Sequence, residues 1–286
     1  MRVLVTGAAG MLGRQVAEEY SRRNEEVFPL ARKDLDITNY ASVSKIFTEI
    51  KPQLVINCAA YTNVDGAETE KEAALTINGL GPRLLAAACR RHDSTLVHIS
   101  TDYVFNGQSP TPYLIYDRTD PINAYGAGKL IGEQGIRESG CNYLIIRTSW
   151  LFGPGGKNFV DTILHLAGNR ETLRVVDDQQ GSPTYTPDLA KGIFDLASAG
   201  IYGTYHYTNS GITTWYGFAG KIIQTAGLKT KVEPCTTADF PRPARRPANS
   251  ALDPFPAPQV LGYTSPSWEQ AVEHYIKHHY NPKTED

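Results

Sequence analysis

Arg2-Val3-Leu4-Val5-Thr6-Gly7-Ala8-Ala9-Gly10-Met11-Leu12-Gly13 decides the fold. Its first half is a β-branched apolar run ending in glycine, after which Leu12, Val16, Ala17 and Tyr20 recur at helical spacing to about Arg23. The stretch reads as strand, glycine turn, helix. Glycines there leave backbone N–H groups unscreened at the positive end of a helix, where a dinucleotide pyrophosphate can be held. Gly7, Gly10 and Gly13 are spaced GxxGxxG rather than GxGxxG, and a tight turn alone also accounts for glycines, so position directly after an N-terminal strand carries the reading.

The same alternation continues outward. Strands are expected near residues 27, 55, 97 and 145, with helical patterns at Ser42–Ile50, Glu68–Arg91 and Tyr125–Glu138. Successive βαβ units imply an α/β protein with a Rossmann-type, doubly wound parallel sheet covered on both faces. Beyond Trp150 the regularity weakens: a Gly153–Gly156 loop, helices near Asn158–Gly168, Pro187–Ala199 and Thr214–Ala226, and a strand near Gly203–Tyr207. Seven prolines between Pro234 and Pro258 deny that stretch a long helix or a central strand, leaving a linker or a binding loop. Trp268, Ala271, Val272, Tyr275 and Ile276 predict a final helix packed back on the protein. The expected organisation is a dinucleotide-binding domain at residues 1–150, completed by parts of 170–210. A smaller α/β substrate domain, mainly 151–286, is interleaved with it.

Composition narrows the class. The 286 residues are 41% hydrophobic and 20% charged, which fits a globular chain rather than a disordered or fibrous one. With 28 basic and 30 acidic residues the net charge is −2, so no global field draws the chain to nucleic acid or an anionic membrane. A phosphate-bearing ligand must be held locally. Cys58, Cys89, Cys141 and Cys235 are too dispersed for a CxxC motif or a disulfide framework and read as reduced, mostly buried thiols. No apolar run nears the roughly 18 residues of a membrane span, and the N-terminus lacks the pattern of a signal peptide, so a cytoplasmic protein is expected.

Two further stretches carry chemistry. The fourth strand ends in Ile99-Ser100-Thr101-Asp102-Tyr103-Val104-Phe105, placing Thr101 at the carboxyl edge of the sheet, where ligands of such folds bind. Tyr125 and Lys129 are four apart near the start of the next helix and so share a face. A nearby ammonium lowers a phenol's pKa from about 10, making the pair a general acid and base. A Tyr-x3-Lys spacing also arises by chance among 16 tyrosines, and its place after the fourth strand is what singles it out. After the second strand, Arg32 and Lys33 favour the 2′-phosphate of NADP, unless Asp34 or Asp36 turns inward to take a ribose hydroxyl.

Together these residues resemble the extended short-chain dehydrogenase/reductases that act on nucleotide sugars. Four separated runs resemble, more narrowly, the dTDP-4-dehydrorhamnose reductases: Cys58–Asp65, Ser100–Phe105, Arg147–Trp150 and Pro243–Ser250. The resemblance covers nearly the whole chain. It implies hydride transfer from NADPH, with NADH as the alternative, to the C4 ketone of dTDP-4-dehydro-L-rhamnose. Tyr125 would donate the proton, Lys129 would tune it and hold the nicotinamide ribose, and Thr101 would bond the reacting oxygen. Gly10, Met11 and Leu12 would cover the pyrophosphate, and Asp36, Ile37, Ala59 and Ala60 would border the adenosine and ribose. Thr62, Val64, Asp102, Tyr103 and Trp150 fall where the family binds substrate, with Arg245, Asn249 and Ser250 at the nucleotide end.

Related dehydratases follow the threonine with an Asp-Glu pair, whereas Tyr103 stands at the second position here, against elimination. Glutamates that bridge some relatives through a metal correspond to Gln15 and Pro187, so no metal is expected, and the chain is expected as a monomer or homodimer. Trp150 could stack on a sugar or base, or pack in a core. None of the seven histidines is assigned a role. An epimerase or dehydratase on the same scaffold stays open as an alternative reading. So does an NADP-binding regulatory subunit like that of methionine adenosyltransferase; an intact Thr101, Tyr125 and Lys129 set favours catalysis.

Overall fold

A computed structural model describes residues 1–280; the end of the expected second domain, residues 281–286, lies outside the described residues. The first half runs β1 (Arg2–Thr6), α1 (Met11–Arg22), β2 (Glu26–Leu30), α2 (Tyr40–Ile50), β3 (Leu54–Asn57), α3 (Lys71–Leu75), α4 (Gly81–His92), β4 (Thr95–Thr101), α5 (Ala124–Glu138) and β5 (Tyr143–Thr148). The second half runs β6 (Leu151–Phe152), α6 (Phe159–Ala167), β7 (Thr172–Val176), β8 (Gln180–Gly181), β9 (Thr184–Tyr185), α7 (Thr186–Ala199) and β10 (Gly203–His206). It continues with β11 (Thr213–Thr214), α8 (Trp215–Thr225), β12 (Lys231–Cys235), α9 (Ala257–Leu261) and α10 (Trp268–His279).

Six strands form one parallel sheet in the order β10-β5-β4-β3-β1-β2. The chain steps from β1 to β2 on one side and to β3, β4, β5 and β10 on the other. The carboxyl ends of β1 and β3 therefore flank a topological switch point, the place where such sheets bind ligands. Alternation along β1 explains the two covering layers. Val3 and Val5 pack with Leu12, Val16 and Tyr20 of α1 and with Leu189 and Ile193 of α7. Leu4 faces the opposite layer, with Phe47 of α2, Leu85 of α4 and Ile136 of α5. Each such aliphatic burial contributes about 1.5–3 kcal/mol.

A second core unites Phe152, Ile163 of α6, Leu173 of β7, Phe218 and Ile222 of α8, and Trp268, Val272 and Tyr275 of α10. Between the two cores the chain crosses back: α7 covers β1, and β10 pairs with β5 at the sheet edge. The sequence patterns did not show the β7–β12 parallel pair, whose outer strand carries Pro234 opposite Val175. Its position in a two-stranded edge ladder is one that proline tolerates.

The single helical pattern expected over Glu68–Arg91 is broken. A 3-10 turn at Gly66–Glu68 precedes α3, and a π-helical turn at Thr76–Leu80 separates α3 from α4. The π turn carries Asn78, whose Oδ1 accepts from the Tyr61 amide at 2.8 Å while its Nδ2 donates to the Tyr61 carbonyl at 3.0 Å. Two hydrogen bonds to one backbone unit are what the local widening supplies, and they fix the loop that follows β3.

Candidate active site

At the switch point glycine permits approaches that no side chain would. Gly7 has φ +66°, and a Cβ there would lie 2.6 Å from the Ala59 amide nitrogen; one on Gly13 would lie 2.3 Å from the Gly7 carbonyl oxygen. The turn after β1, the turn after β3 and the start of α1 are thereby pressed together. Extended Gly10 precedes α1 without a side-chain cap, so the first-turn amides have no side-chain acceptor. These residues form one end of a cleft of about 780 Å³.

Gly7, Gly10, Met11, Leu12, Gly13, Arg32, Asp36, Ile37, Ala59 and Ala60 all line that cleft, as do Thr62, Val64, Thr101, Asp102, Tyr103, Tyr125, Lys129 and Trp150. Lys33 does not. Beyond β2, Asp34 turns its carboxylate back onto the Ala31 amide at 3.0 Å. Asp36 accepts from the Thr38 hydroxyl and amide at 2.7 and 2.9 Å, and those bonds hold its carboxyl below the usual range. Arg32 is left facing the cleft with no carboxylate in salt-bridge contact among the described residues.

At the other end, α5 begins at Asn123, whose side chain accepts from the Gly126 amide at 2.8 Å and donates to the Arg245 carbonyl at 2.9 Å. This cap aims Tyr125 and Lys129 at the end of β4. Thr101 donates its hydroxyl to Asp102 Oδ1 at 2.8 Å and accepts from the Tyr103 amide at 3.1 Å. Burial pushes the Asp102 carboxyl up to about 6 despite that bond. Its Oδ2 and the Thr148 hydroxyl, both on the cleft wall, have no partner among the described residues. A buried polar atom left unpaired is costly, and both of these belong to residues that line the cleft.

One expectation needs correction. The Tyr125 phenol is pushed up to about 12, by burial first and then by the Asp102 charge, with a Thr101 hydrogen bond opposing them. The expected lowering by Lys129 is not found in the ligand-free chain, because Lys129 Nζ is engaged on the sheet side. It donates to the Ile99 carbonyl at 2.5 Å and meets His98 Nε2 at 3.2 Å. Burial draws Lys129 itself down to about 8, with Glu133 and Cys58 pulling it up.

Behind this pair lies a wholly buried ion pair. Glu133, one turn beyond Lys129, accepts from Ser100 Oγ at 2.6 Å, from Arg147 Nε and Nη2 at 2.9 and 2.7 Å, and from Arg137 at 2.7 Å. Burial alone would raise its carboxyl, but the hydrogen bonds and charge of Arg147 reverse the direction and hold it low. Helix α5 is thus tied to both β4 and β5 directly beneath the reactive side chains.

Trp150, at φ +49°, stacks on Trp215 with ring centroids 3.6 Å apart and planes 6° from parallel, so it both packs and forms cleft wall. Arg245, Asn249 and Ser250, expected at the nucleotide end, do not line the cleft. Arg245 is exposed and Asn249 Nδ2 donates to the Ser109 carbonyl. Ser250 is buried, with its hydroxyl 3.3 Å from the Gln180 carbonyl and within reach of the Asp102 carboxylate. It is Arg246 that anchors the proline-rich loop, through Asp65 at 3.0 Å. Sequence reading missed Asn57, Asn78, His98, Glu133, Lys157 and Trp215. Lys157 and Trp215 line the cleft, and Lys157 follows a glycine-rich loop that could have flagged it.

Comparison with known proteins agrees with this geometry. The family model described as RmlD substrate binding domain matches residues 1–281. The dTDP-4-dehydrorhamnose reductase of Burkholderia thailandensis is 40% identical over 95% of this chain and 97% of its own. The dTDP-4-keto-6-deoxy-D-glucose reductase of Streptomyces niveus is 42% identical over 97% and 93%. Among solved structures, the dTDP-4-dehydrorhamnose reductase of Bacillus anthracis in complex with NADP superposes with a TM-score of 0.93 at 43% identity, covering 96% of this chain and 98% of that one. In sequence along its length and in fold, the chain belongs to the dTDP-4-dehydrorhamnose reductase family.

Proposed function

We infer that this protein reduces the C4 ketone of dTDP-4-dehydro-L-rhamnose to the alcohol of dTDP-L-rhamnose at the expense of NADPH. The observation that carries the reading is the convergence of Thr101, Tyr125 and Lys129 on one cleft whose far end is an uncapped helix start and a glycine cradle. That cradle fits the cofactor: a Cβ at Gly7 or Gly13 would collide with backbone, while the free amides of α1 suit a pyrophosphate. Asp34 is turned away and Arg32 faces the cleft, which suits a 2′-phosphate rather than a bare ribose hydroxyl.

The bound cofactor supplies a hydride to the carbonyl carbon. Everything else falls to the chain. Tyr125, protonated at neutral pH because its phenol sits near 12, delivers that proton to the carbonyl oxygen as negative charge develops there. Thr101, whose hydroxyl is held by Asp102 in the ligand-free chain, is the residue that would turn it to the same oxygen, and Asp102 and Thr148 line the part of the cleft beside it. Lys129, which lines the cleft, would hold the ribose beside the Tyr125 ring. Ketone, NADPH and one solvent proton become alcohol and NADP⁺, with Tyr125 reprotonated from water. Trp150 and Trp215 supply the apolar wall against which a sugar ring can lie.

An NADPH oxidation assay with dTDP-4-dehydro-L-rhamnose tests this reading, with the product identified by NMR. The expected result is one NADPH consumed per dTDP-L-rhamnose formed. Turnover without net NADPH consumption overturns it in favour of an epimerase. The D-xylo epimer is assayed beside it because the Streptomyces niveus relative is named for that configuration; faster reduction of the epimer would reassign the substrate.

A further inference from the structure

The run Asp177–Gly181, between β7 and β9, holds the tryptophan wall of the cleft at several points. Asp177 Oδ1 accepts from the Thr214 hydroxyl at 2.6 Å, at the residue that caps α8 and precedes Trp215. Gln180 pairs with Thr214 in the β8–β11 ladder. Gln179 Oε1 accepts from Trp215 Nε1 at 3.2 Å. Gly181 packs so closely on Trp150 that a Cβ there would fall 2.5 Å from the indole. Phe159, at the start of α6, lies against Trp215 with ring centroids 4.6 Å apart.

Gln179 is buried, and the donors and acceptors around it fit together in one way only. An indole Nε1–H donates and has no lone pair to offer, so the amide atom facing it is the oxygen. The amide nitrogen is thereby turned to Thr237 Oγ1, to which it donates at 2.9 Å. The Thr237 hydroxyl then gives its own proton to Asp178 Oδ1 at 2.6 Å, and the Thr237 backbone amide donates to the same carboxylate at 2.9 Å. The bonds run one way, from Trp215 to Gln179 to Thr237 to Asp178, and the charged acceptor at the end strengthens those before it.

A stack of two indoles fixes their separation, 3.6 Å here, but resists sliding and in-plane rotation only weakly. A hydrogen bond to Nε1 is directional and removes that freedom. We propose that Gln179 is a positioning residue for substrate recognition: through the relay to Thr237 and Asp178 it fixes the Trp215 indole, and through the stack the Trp150 indole, where the sugar nucleotide meets the cleft wall. Gln179, Thr237 and Asp178 do not themselves line the cleft, so they act through the two indoles that do. The same run is tied to the proline-rich loop, because the Gln180 amide donates to the Ala248 carbonyl and its carbonyl accepts from the Ser250 amide, both at 2.8 Å. This rests on the reading of the cleft as a sugar-nucleotide site.

Gln179→Leu keeps the bulk of the side chain and removes both of its hydrogen bonds. The expected result is a KM for dTDP-4-dehydro-L-rhamnose raised about three- to tenfold, with kcat and the NADPH dissociation constant within about twofold, because the binding lost is common to ground and transition states. Thr237→Val, at the half-buried end of the relay, should raise KM by a smaller factor, and Thr237→Ser should restore it. Indole signals in ¹H–¹⁵N spectra report the relay directly: the Trp215 Nε1–H should exchange slowly with solvent in the wild type and faster in Gln179→Leu. An unchanged KM in Gln179→Leu overturns the proposal, as does a rise accompanied by equal losses in kcat and NADPH affinity. Should Gln179→Leu not fold, a wild-type KM in Thr237→Val overturns it instead. Wild-type protein that does not reduce the ketone counts against the reductase reading, while the spectra still judge the relay: a Trp215 Nε1–H that exchanges equally fast with and without Gln179 overturns it.

Discussion

The two ends of the cleft are built from opposite materials. At the β1 turn the protein offers backbone: glycines that allow close approach and helix amides with no cap. At the β4–α5 end it offers side chains, each backed by a buried partner: Thr101 by Asp102, Lys129 by His98, Ser100 by Glu133, and Glu133 by Arg147. The first end needs only space and unpaired amides to hold an anion. The second must hold reacting groups within a few tenths of an ångström, and that takes a packed, hydrogen-bonded shell.

The division is sharpest if chemistry can be removed without touching binding. Tyr125→Phe deletes the proton donor and leaves the glycine cradle intact, so kcat should fall by about 10²–10⁴ while the NADPH dissociation constant stays within a few-fold. Steady-state kinetics with a fluorescence titration of NADPH checks both halves. An unchanged kcat would remove Tyr125 from the mechanism.

Arg147→Met tests whether the side-chain end depends on its buried backing. Glu133 would lose its principal partner, and breaking a buried pair costs about 3–5 kcal/mol. Because the folded-state carboxyl is held low, its contribution is fully present above the unfolded value of about 4.3 and is lost as pH falls through the lowered folded value. The variant's deficit in urea melts should therefore be largest at neutral pH and shrink in acid. A deficit independent of pH would mean that Arg147 acts through packing alone.

Asp102→Asn has the opposite sign. Here the folded carboxyl is raised to about 6, so its protonated form favours folding below the unfolded value of about 3.9, and that advantage is lost as pH rises through 6. Above it, the buried charge costs about 3 kcal/mol. The amide should stabilise the protein by about that much in slightly alkaline buffer and make no difference near pH 4, as read by thermal melts. Weaker sugar binding should accompany it, a stability gained at the site's expense.

The comparison also explains what sequence could show. The glycine turn, the strand alternation of β1, β3, β4 and β5 and the Tyr125–Lys129 spacing are local patterns, set by backbone geometry or one helical turn, and they were legible. His98 and Asn57 are 41 residues apart, Asn57 meets the reactive helix through His98 of the neighbouring strand, and Arg147 meets it at Glu133 from the strand beyond. Nothing in a local window marks a histidine as the partner of a lysine 31 residues on. The proline-rich loop was hard to read for a related reason: Arg245 and Arg246 are adjacent and chemically alike, and only the fold shows which meets Asp65. Asn78 was hidden by a helical pattern that its own π turn interrupts.

Trp150→Phe is the mildest test and bears on the wall that joins the two ends. Trp150 occupies a left-handed backbone position that costs any non-glycine residue, and its ring is held by near-parallel contact with Trp215. A Cβ on Gly181 would fall 2.5 Å from the indole, so that approach is tightly packed too. Phenylalanine keeps an aromatic face but less of it, and aromatic pairs are worth about 0.5–1.5 kcal/mol. If the indole serves the sugar, KM should rise about two- to tenfold with kcat little changed, since the loss is of uniform binding rather than of proton transfer. If the indole serves only the Trp215 stack, melting temperature falls and KM does not move, and the wall then belongs to the fold rather than to the substrate.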